Sequence, residues 1–408
     1  MLILKADQMK IIKDPVHGYV EVPHDFLPLL DSPPVQRLRY VKQLGFSHLV
    51  YPGANHTRFE HSLGTMHLAQ VLGRRLELSE EEQRLVTAAG LLHDVGHGPY
   101  SHATEPFLEE CLGRGHQEIR ELISEGETGE ILEGLGLDTE EVCAVAYGKH
   151  RLAGIIHGDL DVDRMDYLQR DAHYTGVPYG TVDAQRLLHS ILMTEDGIVL
   201  SESGINAAES LLIARTLMRP AVYFHHVSRI GESMVRHATV AHLRAAGSGT
   251  LPGMMRMDDA GFFHLLLSSP SEEAREMAER LSRRRLYKRA LYVGRDQVNV
   301  AALRETTVAE EEKLASEIAE AAGVEPGRVL VDMPPFPSEM SMDVEVRNHD
   351  DLVPLEQLSP LIKTLNETRR GQWRMGVYTT PEHRQVVEEA AFELLHVRKP
   401  TRQDRLTI

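Results

Sequence analysis

From Pro34 to about residue 245 the apolar side chains recur mostly at three- and four-residue spacing, the pattern of helices that each bury one face. That alone commits more than half of the 408-residue chain to a helical core. The segments 63–78 (LGTMHLAQVLGRRLEL) and 80–95 (EEEQRLVTAAGLLHDV) carry the pattern, and Gly96, Gly98 and Pro99 stop the second abruptly. Two more long helices fit 203–218 and 220–246, with Pro220 as a break. Residues 246–254 read as a loop, and Glu272–Lys288 as a charged helix bearing the run Arg280, Arg283, Arg284, Arg285, Lys288 and Arg289. Residues 10–22 alternate like strands around Pro15 and Gly18, a short β-ribbon. Beyond the basic run, VLVDM (329–333), MDVEVR (342–347) and MGVYTT (375–380) read as strands. Helices fit 308–322, 355–367 and 382–396, the last with Thr380-Pro381 as N-cap and N1. The expectation is a mostly α fold with a smaller α+β C-terminal module. Its parts are an N-terminal ribbon (1–33), a helical core (34–250), a basic helical connector (251–295) and the α+β module (296–408).

Charge and cysteine content narrow the function. Lys and Arg number 44 against 61 Asp and Glu, a net charge of −17 that argues against a chain built to coat nucleic acid. No uncharged apolar run approaches the roughly 18 residues of a membrane span. Four apolar residues ahead of Lys5 and Asp7 are too few for a signal-peptide core. Cys111 and Cys143 support neither a disulfide framework nor a thiolate zinc cluster, so a reduced, cytoplasmic, water-soluble protein is expected. Histidine is the exception to this ordinary composition: of 22, ten fall between His56 and His173. Imidazole is the commonest metal ligand and titrates near neutral pH, so the clustering points to chemistry.

There is no Walker phosphate loop, no G-x-G-x-x-G and no H-E-x-x-H. What stands out is His93-Asp94, where an apolar helix breaks into Gly-His-Gly-Pro. Near a helix end, adjacent residues offset by about 100° can reach one ion from different sides. His61 heads the preceding helix, and Asp159, Asp161, Asp163 and Asp166 crowd HGDLDVDRMDY downstream. Any one such carboxylate is ordinarily a solvated face, and a lone His-Asp pair is common in cores. Two imidazoles with two carboxylates form a mixed N/O set suited to Mg, Mn, Fe, Co, Ni or Zn.

H…HD…D is the signature of the HD superfamily of metal-dependent phosphohydrolases. KIIKDPVHGYVEV, LLDSPPVQRLRYVKQLG, YPGANHTRFEHSLG, LLHDVGHGPYSH and DVDRMDYLQRDAHYTG together resemble its dNTP triphosphohydrolase branch, which includes the sterile-alpha-motif HD-domain enzyme of animals and many prokaryotic homologues. The likeness runs from about residue 9 to 230 and more loosely to the C-terminus, with no room for a sterile-alpha-motif domain ahead of Met9. It implies an HD core and the reaction dNTP + water → deoxynucleoside + triphosphate. It assigns a divalent metal to His61, His93, Asp94 and Asp163, the last because DVDRMDY matches the family run at its third position. Asp159, Asp161 and Asp166 then revert to ordinary acidic positions. The resemblance places His97 and His102 near the phosphates and Arg58 at the α-phosphate. His116 becomes the acid/base; its family context is His-Glu, and Gln117 stands there instead. Glu105 falls where the family often has Asp. Gln43 and Leu44 are implied to meet the sugar, Arg164 and Tyr167 phosphate and sugar, Asp171 the 3′-hydroxyl, and Tyr223 the deoxyribose face.

The same resemblance implies a guanine-specific regulatory site for GTP or dGTP at Lys10, Asp31, Gln36 and Arg39. Arg284 and Lys288 would reach it from a neighbouring subunit of a homo-oligomer, dimer or tetramer. Lys13 departs from the family's asparagine, and 196–210 lacks arginines that some relatives place there. Two alternatives stay open: an HD phosphohydrolase acting on a monophosphate, cyclic nucleotide or guanosine tetraphosphate, and a low-turnover protein that senses nucleotides or binds nucleic acid.

Overall fold

The computed structural model describes residues 9–113, 115–124, 126–195, 197–298, 307–336, 344–349 and 351–398, so the N-terminal octet read above for a signal core lies outside them. The chain is mostly helical with a smaller α+β part. Among the described residues no helix is long and apolar enough to cross a membrane.

Two helices carry the centre. Arg58–Arg75 starts five residues before the expected 63, because Thr57 and Glu60 cap it reciprocally. Ser79 and Glu82 form the same box ahead of Glu80–Leu92. The two pack together through Met66, Ala69 and Leu72 against Val86 and Ala89. A third helix, Val162–Thr175, lies against the first. Asp161 caps it by accepting from the Arg164 amide at 2.7 Å, and Gly176 ends it at φ +75°, a left-handed C-cap suited to glycine.

The β-ribbon is present as β1 (Met9–Asp14) and β2 (Gly18–Pro23), antiparallel with Met9 opposite Pro23. Further strands are β3 (Ile191–Met193), β4 (Ile198–Ser201), β5 (Lys288–Gly294), β6 (Val329–Asp332), β7 (Glu345–Asn348), β8 (Asp351–Pro354) and β9 (Arg374–Thr379). They form the sheets β3-β4-β7-β8 and β5-β9-β6. Of the expected strand 342–347, the first two residues lie outside the described set.

Several sequence expectations are corrected. Residues 246–254 are not a loop: a 3-10 turn, Ser248–Thr250, leads into a short helix, Leu251–Met255, whose Leu251, Met254 and Met255 are buried. The charged helix ends at Ser282 rather than Lys288. Arg284 turns left-handed at φ +53° and the Arg285 amide closes back on the Arg280 carbonyl, after which β5 begins at Lys288. The helix expected from 220 starts at His226; before it, Arg219–Tyr223 form a π-turn around Pro220, whose ring nitrogen has no hydrogen to donate. The helix expected at 355–367 is two, Leu355–Leu358 and Pro360–Gln372, divided at Ser359 before a proline.

The cores also cut across the expected parts. Val20, Val22 and Phe26 of the ribbon, and Val346, Leu355, Ile362 and Leu365 of the C-terminal segment, all join the core of the central helices. The divisions at 33 and 296 are therefore not cuts between cores. A separate core fills the β5-β9-β6 sheet and the helices Val308–Ala322 and Arg384–Leu394.

Candidate metal centre and catalytic cavity

Helix Glu80–Leu92 ends on His93, whose Nδ1 faces the Gly90 carbonyl at 2.9 Å. A carbonyl only accepts, so Nδ1 carries the proton and the Nε2 lone pair points away from the helix. His61 is set the same way by another partner: its Nδ1 lies 2.8 Å from Asp166 Oδ2. The two Nε2 atoms face each other at 3.3 Å. Asp163 Oδ1 lies 2.9 Å from His61 Nε2 and 3.7 Å from His93 Nε2. Asp94 completes the set at 3.4 Å from His93 and 3.8 Å from His61. Four lone-pair donors thus converge, and only a cation satisfies them together. Burial opposes charging His61, yet Asp163 and Asp166 overcome it and raise that imidazole to about 10, a measure of the positive charge the site demands. His61, His93 and Asp94 offer donor atoms close enough together to hold one divalent metal, with the Asp163 carboxylate beside both imidazoles, and the protein is a divalent-metal binder.

Around this centre opens a cavity of about 780 Å³. Arg58 reaches in from the first turn of its helix, with Nη1 donating to Asp94 Oδ2 at 2.6 Å and Nε to Ser101 Oγ at 2.7 Å. Tyr100 and Ser101 take φ of +56° and +49°, conformations costly for side-chain-bearing residues, held by an Asp259 carboxylate on the Tyr100 amide. Arg37 clamps the loop after Asp94 through the carbonyls of Val95 and His97. Burial opposes ionisation of Asp94, but Arg58 and the neighbouring imidazoles hold its carboxyl well below the usual range.

A second group sits beside the first. His97 stacks on His116 at 3.9 Å between ring centres, and Glu105 Oε1 takes hydrogen bonds from both Nδ1 (2.7 Å) and the backbone amide of His116. The carboxylate partner of His116 is thus Glu105, eleven residues earlier, rather than its chain neighbour at 117. Burial would raise the Glu105 pKa, but His116 and His97 pull it well below the usual carboxylate range. His102 also lines the cavity; burial and the cations around it, led by Arg58, keep its imidazole neutral.

Of the remaining expected residues, Gln43, Leu44, Tyr167, Asp171 and Tyr223 all line this cavity. The Tyr223 hydroxyl donates to Asp171 Oδ2 at 2.9 Å, and Tyr167 meets Tyr223 edge to face. Arg164 is the exception: it bonds Asp161 and faces a separate cavity of about 490 Å³. Among the regulatory positions, Arg39 Nε donates to Gln36 Oε1 at 2.8 Å and Asp31 ends the helix Leu27–Leu30. Lys10 is exposed on β1, whereas Arg284 bonds the Leu49 carbonyl and Lys288 opens β5.

Sequence reasoning missed three functional supports. Asp166, set aside as ordinary, is fully buried and orients His61. His56 Nε2 lies 2.8 Å from Asp171 Oδ1. Arg215, Arg219 and Arg369 line the cavity from beyond the motif blocks. The i, i+3 spacing of Asp163 and Asp166 places them on one helix face and was the one available signal for Asp166.

A helical domain that breaks on His93-Asp94, with His61 and Asp163 beside the pair, has the arrangement of an HD-type, metal-dependent phosphohydrolase. The HD-domain profile matches residues 58–171, and that of the HD-associated region matches 182–406. An uncharacterized protein of Methanocaldococcus jannaschii is 33% identical over 92% of this chain and 80% of its own. Deoxynucleoside triphosphate triphosphohydrolase SAMHD1 of Gallus gallus is 30% identical over 69% of this chain and 56% of its own. The chain thus spans about half the length of SAMHD1. A crystal structure of a hypothetical protein from Aquifex aeolicus superposes with a TM-score of 0.72 at 32% identity, covering 95% of this chain and all of that one. The chain belongs to the HD-domain family, in the group that carries the HD-associated region and includes the dNTP triphosphohydrolases.

Proposed function

We propose that the protein hydrolyses deoxynucleoside triphosphates to the deoxynucleoside and triphosphate, and that a guanine nucleotide bound at Lys10, Asp31, Gln36 and Arg39 stimulates it, with Arg284 and Lys288 contributed by a neighbouring copy. One observation carries the reading. The four metal-facing side chains share a cavity with a Tyr167–Tyr223–Asp171 wall, so a phosphate and a sugar fit side by side. The SAMHD1 likeness supports the substrate class.

A divalent ion held by His61, His93, Asp94 and Asp163 would supply charge neutralisation at the phosphoryl oxygens and ease the deprotonation of water near neutral pH. Arg58 adds fixed positive charge where the α-phosphoryl oxygens lie, preorganised by Ser101. The deoxynucleoside 5′-oxygen leaves poorly unless protonated. His116 is held through Nδ1 by Glu105, which leaves Nε2 to carry that proton. Asp171 accepts from Tyr223 and takes the 3′-hydroxyl, while the Tyr223 ring closes the space a 2′-hydroxyl would need.

The deciding experiment incubates the protein with each dNTP and Mg or Mn, with and without GTP. Inorganic triphosphate as product supports the reading; monophosphate or pyrophosphate would replace it. Asp94→Ala should abolish both metal retention and turnover.

A further inference from the structure

Asp259 opens the helix Asp259–Leu267 but does not cap it: Asp258 does, accepting from the Gly261 amide at 2.7 Å. The buried Asp259 carboxylate turns instead to two segments far away in sequence. Its Oδ1 accepts from the Tyr100 amide at 2.7 Å and its Oδ2 from the Lys42 amide at 3.0 Å. Ser101 Oγ donates to the Lys42 carbonyl at 3.0 Å, so a ring of hydrogen bonds closes through Asp259, Lys42, Ser101 and Tyr100. Arg58 is attached to this ring on two sides. Its Nε donates to Ser101 Oγ, and its amide donates to the Val41 carbonyl at 2.9 Å, beside the antiparallel bridge between Lys42 and Thr57.

Arg37 braces the same loop nearer Asp94. Its guanidinium donates to the carbonyls of Val95 and His97 and to that of Met257, two residues before Asp259. The stretch 94–101, which ends in two consecutive residues at positive φ, is thus tied to residues 257–259 at both its ends. Burial pushes the Asp259 carboxyl up to about 6, although the two amides, Lys42 and Arg58 oppose it. A carboxyl raised in the fold contributes most favourably below its unfolded value near 3.8 and loses that contribution as pH rises through about 6. At neutral pH the ionised Asp259 therefore costs stability rather than supplying it. What it supplies is the geometry of the ring.

We infer that Asp259 is a positioning residue for Arg58: through Tyr100, Lys42 and Ser101 it sets the aim of that guanidinium beside Asp94 while touching neither side chain. This rests on the part of the reading above that puts a phosphoryl group between Arg58 and the metal centre, whatever nucleotide carries it. A fixed charge favours a transition state only if it is held in place before the reaction begins. Misplacement by about 1 Å costs about 100-fold in rate. Lys42 precedes Gln43 and Leu44 in the cavity wall, so the same carboxylate also ties that wall to the arginine.

The test is a double-mutant cycle between Asp259→Asn and Ser101→Gly in the metal-loaded protein. It is read as kcat and KM on a dNTP and as affinity for inorganic vanadate, a five-coordinate mimic of phosphoryl transfer. Glycine adopts the φ of +49° at position 101 freely, so Ser101→Gly removes the hydroxyl and leaves the turn. Asparagine sets an NH2 group against one of the two amides and opens the ring. Each variant should lower kcat and vanadate affinity about 10- to 100-fold, with KM and metal content within about threefold of wild type. The double variant should fall no more than about threefold below the worse single, because both changes release the same arginine. Should Asp259→Asn not fold, Asp259→Ser, whose hydroxyl still accepts from one amide, takes its place in the cycle. Losses that multiply across the cycle, or vanadate affinity in the Asp259 variant within about threefold of wild type, would overturn the inference. The two readings fail separately. If no dNTP is hydrolysed while vanadate affinity follows the cycle, the positioning role stands and the dNTP reading falls.

Discussion

Asp166 joins His61 to His17: one carboxylate oxygen lies 2.8 Å from His61 Nδ1 and the other 2.6 Å from His17 Nε2. Arg170 holds both oxygens from behind and reaches on to Asp14 at 2.9 Å. Asp14 ends β1 and His17 sits in the ribbon turn, so the N-terminal ribbon is wired to a metal ligand through one buried carboxylate. A group hydrogen-bonded to the far side of a metal-binding imidazole sets its tautomer and basicity.

Asp166→Asn should therefore weaken metal binding about 10- to 100-fold while all four ligands remain. An amide cannot accept on both sides, and Arg170 keeps only Asp14, so stability should fall by about 1–3 kcal/mol. Chelator competition and denaturant unfolding read the two effects separately. Gly64→Ala tests the same linkage without touching a charge. A Cβ there would occupy the space of Asp166 Oδ1 and the Arg170 guanidinium, so it should also loosen the metal. Wild-type metal affinity in both variants would remove Asp166 from the site.

A different buried histidine sets a pH dependence of stability. His237 lies 2.7 Å from Glu312 and 2.8 Å from Glu273, pinning the helices Val308–Ala322 and Glu272–Ser282 to His226–Ala246. Burial opposes its charge, but the two carboxylates raise it to about 9. A raised imidazole contributes its full stabilisation below the unfolded value near 6.5 and loses it as pH rises through about 9. With one carboxylate part-exposed, the loss across that window should be about 1–3 kcal/mol. Denaturant midpoints from pH 6.5 to 9.5 should fall in wild type and fall less in His237→Gln. Parallel curves would show that His237 does not titrate there.

At Tyr223 the ring and the hydroxyl have separable tasks. Tyr223→Phe keeps the ring against the sugar and removes the bond to Asp171, so the preference for dNTP over NTP should persist while KM rises a few-fold. Tyr223→Ala opens the wall and should cut that preference by about 1–3 kcal/mol, roughly 5- to 150-fold. Equal hydrolysis of ribonucleotides by wild type would end the argument.

The sequence exposed what depends on local pattern and left out what depends on tertiary approach. Helical spacing located the helices around His61 and His93, and the glycines after Asp94 marked the break that bares the ligand pair. Strands of three and four residues, β3 and β4, are too short for alternation to register. Asp166 looked like one of four equivalent carboxylates, because its role is fixed by His61, 105 positions away. The Glu105–His116 pair was hidden for the same reason: His116 lies over His97, a close approach that Gly96 permits, since a Cβ there would collide with the His116 carbonyl. Arg369 entered the cavity from the C-terminal segment, where no motif pointed.

The proposed guanine response would have a physical route to the metal. The Arg39 guanidinium lies 3.5 Å above the Phe59 ring while its Nε bonds Gln36. Phe59 follows Arg58 and precedes His61 by two residues on one helix, so whatever draws Arg39 away is felt at the catalytic helix. In the proposed site guanine would offer that draw, since Arg39 and Gln36 can donate to O6 and N7 and Asp31 can accept from N1–H and the amino group. A cation–π contact is worth about 1 kcal/mol, so the coupling should be near fivefold in rate rather than a thousandfold switch. Hydrolysis of dATP or dCTP should rise about fivefold with GTP or dGTP in wild type, with a larger particle on sizing. Arg39→Ala should erase the guanine dependence, because both the base contact and the Phe59 contact go together. Full activity on a single dNTP alone, with no change in mass on adding guanine nucleotide, would show that Asp31, Gln36 and Arg39 no longer regulate this chain.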